Sequence, residues 1–351
     1  MASCCILCPN ERKLSKAWSK AIDRRLKKDG RALLEEDKVV MMGMAESDRD
    51  MFLRHLRIRF EHDDTVDESL IEEFRPIIYG NIIQGVQMLV MALNLHNVPW
   101  SDPRNEQYAA LIMDCDRDAK LAPEKFRKYV GPCRALWSDS SIQSIFEDVA
   151  AFGLDYVPSK GDILHCNRPE DGARELIVRS TFTHSRLHIT DVGGMSIAQS
   201  RVRQIFYDVE CIIFFASAQD FDPVPSANGI SIPLLEACDL FDAVINDVNL
   251  RSVPILLVFT KLDALKEKIK CRSIKESFPN FKGKPHDIKD VKKFIADLFL
   301  ERSHKRKEKP FHSFVTLTSA DHANDLFSRV ETNVVMKRHQ KHSLFIGYHR
   351  F

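Results

Sequence analysis

Apolar residues along this chain fall into two kinds of run. Short continuous runs of four to eight residues recur in "DKVVMMGMAES", "ELIVRSTF", "RLHITDVGG", "ECIIFFASA", "PILLVFTK" and "HSFVTLTSA". Runs of that length, mostly separated by helical segments, predict a mainly parallel sheet flanked by helices, because strands covered on both faces lose the polar half of their alternation. The other kind is helical. Residues 60–161 hold no strand pattern, only periodicity such as "YGNIIQGVQMLVMAL" (79–93) and "LWSDSSIQSIFEDVAAF", which predicts an all-helical domain inserted into an α/β domain. Residues 10–36 place Leu14, Trp18, Ile22 and Leu26 three to four apart among dense charges. That is an amphipathic helix too polar to be core.

Composition narrows the partners. Lys plus Arg number 51 against 50 for Asp plus Glu, so the chain has no bulk attraction for nucleic acid, and none is expected as a partner. No window approaches 18 uninterrupted apolar residues, and "MASCCILCPNERK" lacks the basic start and long apolar core of a secretory signal, which reads as an intracellular chain. Nine cysteines without regular spacing fit reduced thiols better than a disulfide framework. Cys4, Cys5 and Cys8 crowd the first eight residues. S-palmitoylation and an unmodified tail both fit that crowding, while Ala2 excludes N-myristoylation. The one biased segment, "ERSHKRKEKP" (301–310), reads as a solvated loop.

One strand ends in chemistry. "HITDVGGMSIAQ" (188–199) closes an apolar run on Asp191, Gly193 and Gly194, an acid and two glycines suited to a phosphate and its metal; Met195, which follows, barely hydrogen-bonds.

Eight stretches, "SKAIDRRLKKDG", "YGNIIQ", "LWSDSSIQSIF", "GDIL", "HITDVGG", "YDVECIIFFAS", "LLVFTKLDALKEKI" and "DLFSRVETNVVMKR", resemble in order and spacing the motifs of heterotrimeric G-protein α subunits, from Ser15 to the C-terminus. The resemblance implies a Ras-like P-loop GTPase sheet flanked by helices at 37–59 and 162–351, an inserted and shortened helical domain at 60–161, and an N-terminal lipid- and βγ-binding helix at 1–36. It implies a GDP/GTP switch using GTP or GDP and Mg²⁺, coupling a G-protein-coupled receptor to a βγ dimer and an effector it does not name. The place implied is the cytoplasmic face of the plasma membrane, with peripheral attachment through lipid on Cys4 and Cys5. The alternative is a pseudo-GTPase scaffold that binds βγ or receptor without cycling nucleotide.

Carried onto this chain residue by residue, the family's site is uneven. The phosphate loop pattern G-x-x-x-x-G-K-[ST] falls on "GMAESDRD" (43–50). Gly43 matches, and Glu46, Ser47 and Arg49 stand at phosphate-binding positions. Asp48 replaces the second glycine, Arg49 the lysine and Asp50 the metal-binding hydroxyl, which moves the local charge from +1 to −1 beside a polyanion. Asp50 is also a carboxylate able to take Mg²⁺ itself, so a working phosphate cradle and a junction kept only for the fold both remain open. In switch I, Asn167 stands at the catalytic arginine, Arg168 one residue along as a possible substitute, and Glu170 at the metal-binding threonine. In switch II, Asp191 would hold the metal through water and Gly194 would meet the γ-phosphate, while Met195 takes the place of the water-orienting glutamine. Slow hydrolysis is the implied result. The base pocket matches better: Thr260, Lys261 and Asp263 in "TKLD", and the Leu317 backbone in "TLT", would read guanine. Val202 stands where the family has a βγ-contacting tryptophan, and Leu344, Phe345 and Phe351 mark a receptor-reading tail.

Overall fold

The computed structural model describes residues 36–44, 46–62, 66–116, 121–143, 174–180, 185–193, 205–226, 229–303, 306 and 309–348, with side chains described throughout those ranges except at 46, 47, 143, 226 and 338–348. All of the amphipathic segment 10–36 but Glu36, together with Val202 and the side chains of the tail, lies outside them. The chain divides into two compact units, one of Met1–Ala45, Ala173–Val315 and Asn324–Phe351, the other of Glu46–Gly172 and Thr316–Ala323.

The first unit is built on a mixed sheet. All six apolar runs became its strands: β1 (Glu36–Gly43), β2 (Arg174–Arg179), β3 (Arg186–Asp191), β4 (Val209–Ser217), β7 (Ile255–Thr260) and β8 (Phe311–Phe314), in the order β2-β3-β1-β4-β7-β8. Only β2 runs antiparallel to its neighbour; the other pairings are parallel. The central strands β4 and β7 are buried at every position, which is why their sequences read as unbroken apolar runs. A small hairpin, β5 (Val224–Ser226) with β6 (Gly229–Ser231), stands apart from the sheet.

Helices α6 (Pro233–Ile245) and α8 (Ile288–Leu300) cover one face of this sheet. Phe299 of α8 meets Phe214, Phe241 and Phe259 edge-on at centroid distances of 6.5, 5.5 and 5.1 Å, joining two strands and two helices through rings that favour such geometry. Cys238 of α6 shares this interior, and Cys211 is buried on the other face of β4; burial pushes both thiols up to about 12. Cys271, ending α7 (Leu262–Cys271), is exposed. The last helix, α9 (Ala320–Tyr348), buries Leu326, Phe327, Val330 and Val334.

The second unit is helical among its described residues. It contains α1 (Glu46–Glu61), α2 (Glu68–Leu95), α3 (Asn105–Met113), α4 (Pro123–Trp137) and the short α5 (Ser140–Gln143). Asp67 caps α2 by accepting from the Leu70 N–H. By length and composition α2 is apolar enough to cross a membrane; its contacts account for that composition. Leu70, Phe74 and Ile78 pack on Ile58 of α1, and Tyr79, Ile83, Val86 and Val90 pack into a core with residues of α3 and α4. Tyr79 stacks on Phe126 at 3.9 Å. Gln87, itself buried, donates through Nε2 to the carbonyls of Ile112 and Cys115 at 2.8 and 2.9 Å, so its burial does not leave that amide nitrogen unsatisfied. Cys133 on α4 is buried, and burial pushes its thiol up to about 12.

Asp139 organises the turn between α4 and α5. It accepts from Asn105 Nδ2 at 2.8 Å and from the N–H groups of Ser101, Asp102 and Ser141 at 3.2, 3.2 and 2.9 Å. Burial alone would raise its pKa, but these donors favour the carboxylate and bring it down to about 2.

Candidate functional site

In an open α/β sheet, ligands gather beyond the carboxyl ends of the parallel strands. Sequence-predicted residues of the sheet unit that the structure describes lie there. Gly43 ends β1, Asp191 ends β3, and Thr260 ends β7, with Met41 paired to Asp191 and Ser217 of β4 paired to Thr260. The Gly43 N–H donates to the Gly193 carbonyl at 3.1 Å, and Val192 N–H to the Met41 carbonyl at 2.9 Å, so the β1 exit and the Asp-x-Gly-Gly turn are stitched together.

Gly43 has a φ of +127°, and a Cβ there would sit 2.0 Å from the Phe215 carbonyl oxygen. No side chain fits in that space. The glycine is therefore required by the approach of β1 to β4, independently of any phosphate.

Beyond it, α1 opens on acids: the sequence sets Glu46, Asp48 and Asp50 in its first turns. Asp48, Arg49 and Asp50 are buried. A helix N-terminus offers unsatisfied N–H groups and partial positive charge to an anion. Here side-chain carboxylates supply that negative charge. Asp50 forms an ion pair with Arg54 one turn on, both side chains being buried, and the Arg54 guanidinium lies 5.4 Å from the Phe74 ring centroid. Buried His55 places Nε2 2.7 Å from the Leu317 carbonyl, fixing the backbone of the loop named for guanine. The same loop is closed by Ser319 N–H donating to Thr316 O at 3.1 Å and by Thr316 N–H donating to His322 Nδ1 at 3.1 Å.

Asp191 is engaged through both oxygens. Arg174 Nη2 donates to Oδ2 at 2.7 Å and the Gly193 N–H donates to Oδ1 at 3.0 Å; the carboxylate is 2% exposed. Register explains the pair, since Arg174 is directly opposite Asp191 across the β2–β3 ladder and shares a face with buried Leu176 and Val178. Neither Arg174, Arg54 nor His55 stood out in the sequence. Arg174 precedes an alternating run in phase with its apolar residues, the signal that would have found it.

The base loop follows β7. Thr260 is fully buried, its hydroxyl 3.4 Å from the Ala216 carbonyl, and its own carbonyl accepts from Ala218 N–H at 3.1 Å. Lys261 takes a left-handed conformation at φ +55°, rare for a residue with a Cβ. That turn sets exposed Asp263 in the first turn of α7. Leu262 N–H donates to the Val315 carbonyl at 3.2 Å, and Val315 N–H to Phe259 O at 2.8 Å. Lys268 braces the helix from below, paired with Asp222 at 2.9 Å and donating to the Gln219 carbonyl at 2.5 Å.

Asn167, Arg168, Glu170, Gly194, Met195, Cys4 and Cys5 lie outside the described residues, as do the side chains of Glu46 and Ser47. Among the described residues no group of three or more His, Cys, Asp or Glu side chains is gathered for a metal ion.

Comparison with known proteins agrees with this layout. A family profile described as "G-protein alpha subunit" matches residues 16–334. The chain is 31% identical to human guanine nucleotide-binding protein subunit alpha-13 over 341 residues, covering 90% of this chain and 89% of that protein. It is 30% identical to human subunit alpha-12, covering 91% and 88%, and 26% identical to human subunit alpha-15, covering 95% and 96%.

Proposed function

The chain belongs to the G-protein alpha subunit family, and from that premise we propose that it is a guanine nucleotide-binding signal transducer that hydrolyses GTP slowly. The observation that carries the reading is the base loop: a left-handed Lys261 and an exposed Asp263 held at the carboxyl end of β7 by bonds to β4 and to the segment after β8. In this reading the Asp263 carboxylate accepts from two guanine N–H groups and the Lys261 stem lies across the ring.

Hydrolysis is slow because two tasks lack a suitable side chain. Asn167 carries no charge to offset the transition state, and the Met195 thioether cannot orient water. Mg²⁺, where a family member binds it, offsets phosphate charge. The partners in this reading are a βγ dimer, engaged by the stripe of Leu14, Trp18, Ile22 and Leu26, and a G-protein-coupled receptor met by the C-terminal tail. Lipid on Cys4 and Cys5 would hold the chain at the cytoplasmic face of the plasma membrane.

Denaturing freshly purified protein and identifying the released nucleotide by chromatography tests the reading: GDP or GTP is expected near one per chain. Asp263→Asn should weaken guanine nucleotide binding roughly tenfold or more, since unpaired buried donors cost about 1–3 kcal/mol, and should improve binding of xanthine nucleotides. Unchanged GTP affinity with no gain for xanthine would refute the assignment. A second reading, a scaffold that never cycles nucleotide, draws support from the ion pairs Asp50–Arg54 and Arg174–Asp191, which commit to arginine the carboxylates otherwise assigned to a metal. A nucleotide-free chain that still binds βγ would favour it.

A further inference from the structure

The donors do not suit Mg²⁺. Mg²⁺ needs near-octahedral oxygen at short range and gives up water reluctantly, so proteins hold it through one or two carboxylates and the phosphates of a substrate. Asp191 meets Arg174 at 2.7 Å on one oxygen and the Gly193 N–H at 3.0 Å on the other. Asp50, in the other unit, has its own guanidinium in Arg54. Both candidate ligands among the described residues are thus neutralised by an arginine from their own compact unit.

A carboxylate has spare lone pairs even after two hydrogen bonds, so charge decides the matter rather than crowding. A dication one water layer from Asp191 would stand beside a fixed, always protonated guanidinium, in a place where the carboxylate is 2% exposed and solvent screens little. Arg174 is held there by the β2–β3 register, opposite Asp191 and on the inward face with Leu176 and Val178. Being part of the chain, it does not diffuse away as a bound ion can.

We propose that Arg174 takes the place of the divalent cation at Asp191, so that this chain holds a guanosine triphosphate without Mg²⁺. The proposal rests on the nucleotide-binding reading above. The test measures the Kd of a fluorescent, non-hydrolysable GTP analogue for the full-length chain, stripped of nucleotide, in excess Mg²⁺ and in EDTA. Equal affinity within about twofold is expected for the wild type. In Arg174→Val, the affinity in EDTA should fall at least about tenfold below that in Mg²⁺, a difference of about 1.4 kcal/mol. Arg174→Gln, which keeps a donor toward Asp191 but no charge, should show the same split, and it serves if the valine variant fails to fold by circular dichroism. Wild-type affinity that collapses in EDTA would overturn the proposal while leaving nucleotide binding intact. Variants that stay indifferent to Mg²⁺ would overturn it too. Binding in neither buffer would overturn the nucleotide reading, and this inference with it.

Discussion

Asp50→Ser would give the phosphate loop the hydroxyl its pattern calls for, yet the structure predicts that the change destabilises the chain. Asp50 and Arg54 pair with side chains 11% and 4% exposed, one turn apart on α1. Removing one member of a buried pair leaves the other charge in a poorly screened place, which costs about 3–5 kcal/mol, whereas replacing both with apolar groups is often neutral. Arg54 also lies over Phe74 on α2, so a leucine at 54 keeps an apolar contact there. We therefore expect Asp50→Ser and Arg54→Leu each to lower stability by about 3 kcal/mol or more, and the double variant to recover most of the loss. The coupling energy should be at least about 2 kcal/mol. Urea unfolding followed by far-ultraviolet circular dichroism, on all four proteins of the cycle, measures it. Single variants within about 0.5 kcal/mol of wild type, the range of an ordinary surface change, or a coupling near zero, would refute the account of this pair as a structural lock.

Three further outcomes follow from the same geometry. Gly43→Ala should cost at least about 3 kcal/mol, because strain at φ +127° is joined by a Cβ 2.0 Å from the Phe215 carbonyl oxygen, whereas Gly229→Ala, strained at φ +118° but in open space, should cost only about 1–2 kcal/mol; equal unfolding midpoints would contradict this. Asp139, lowered from 3.8 to about 2, contributes stability that is fully present above its ordinary value and is lost as pH falls through about 2, so the advantage of wild type over Asp139→Asn in denaturant titrations should shrink across that window. Met195→Gln alone should leave single-turnover GTP hydrolysis nearly unchanged, while Asn167→Arg with Met195→Gln should exceed the product of the single effects; a wild-type rate typical of an active α subunit would remove the premise.

The buried strands were legible because residues covered on both faces must be apolar throughout, as β4 and β7 are. The β5–β6 hairpin was not, since three-residue strands with exposed Val224 and Ile230 carry no run to recognise. The start of α2 was obscured by Pro76, which reads as a breaker. The structure carries the helix through it from Glu68, with Leu70, Phe74 and Ile78 anchored on Ile58. At the site, motif positions such as Gly43, Asp191 and Asp263 could be placed by spacing along the chain. The arginines opposing Asp191 and Asp50 could not be ranked that way, because one acts across a strand pair and the other through a helical turn. Thr260 shows a related limit: its position was readable, but the hydroxyl's direction toward Ala216 depends on a neighbouring strand.

The interior thiols turn the protein into its own recorder of breathing motions. Alkylating reagents attack thiolate, and Cys133, Cys211 and Cys238, pushed up to about 12 and buried, offer almost none at neutral pH. Cys271 is the exposed thiol among the described residues and would be labelled first. Any later modification of Cys133 reports an opening of the helical unit, and modification of Cys211 or Cys238 an opening of the sheet unit. Peptide mapping of timed alkylation would thus follow the two halves of the molecule separately, with no probe introduced.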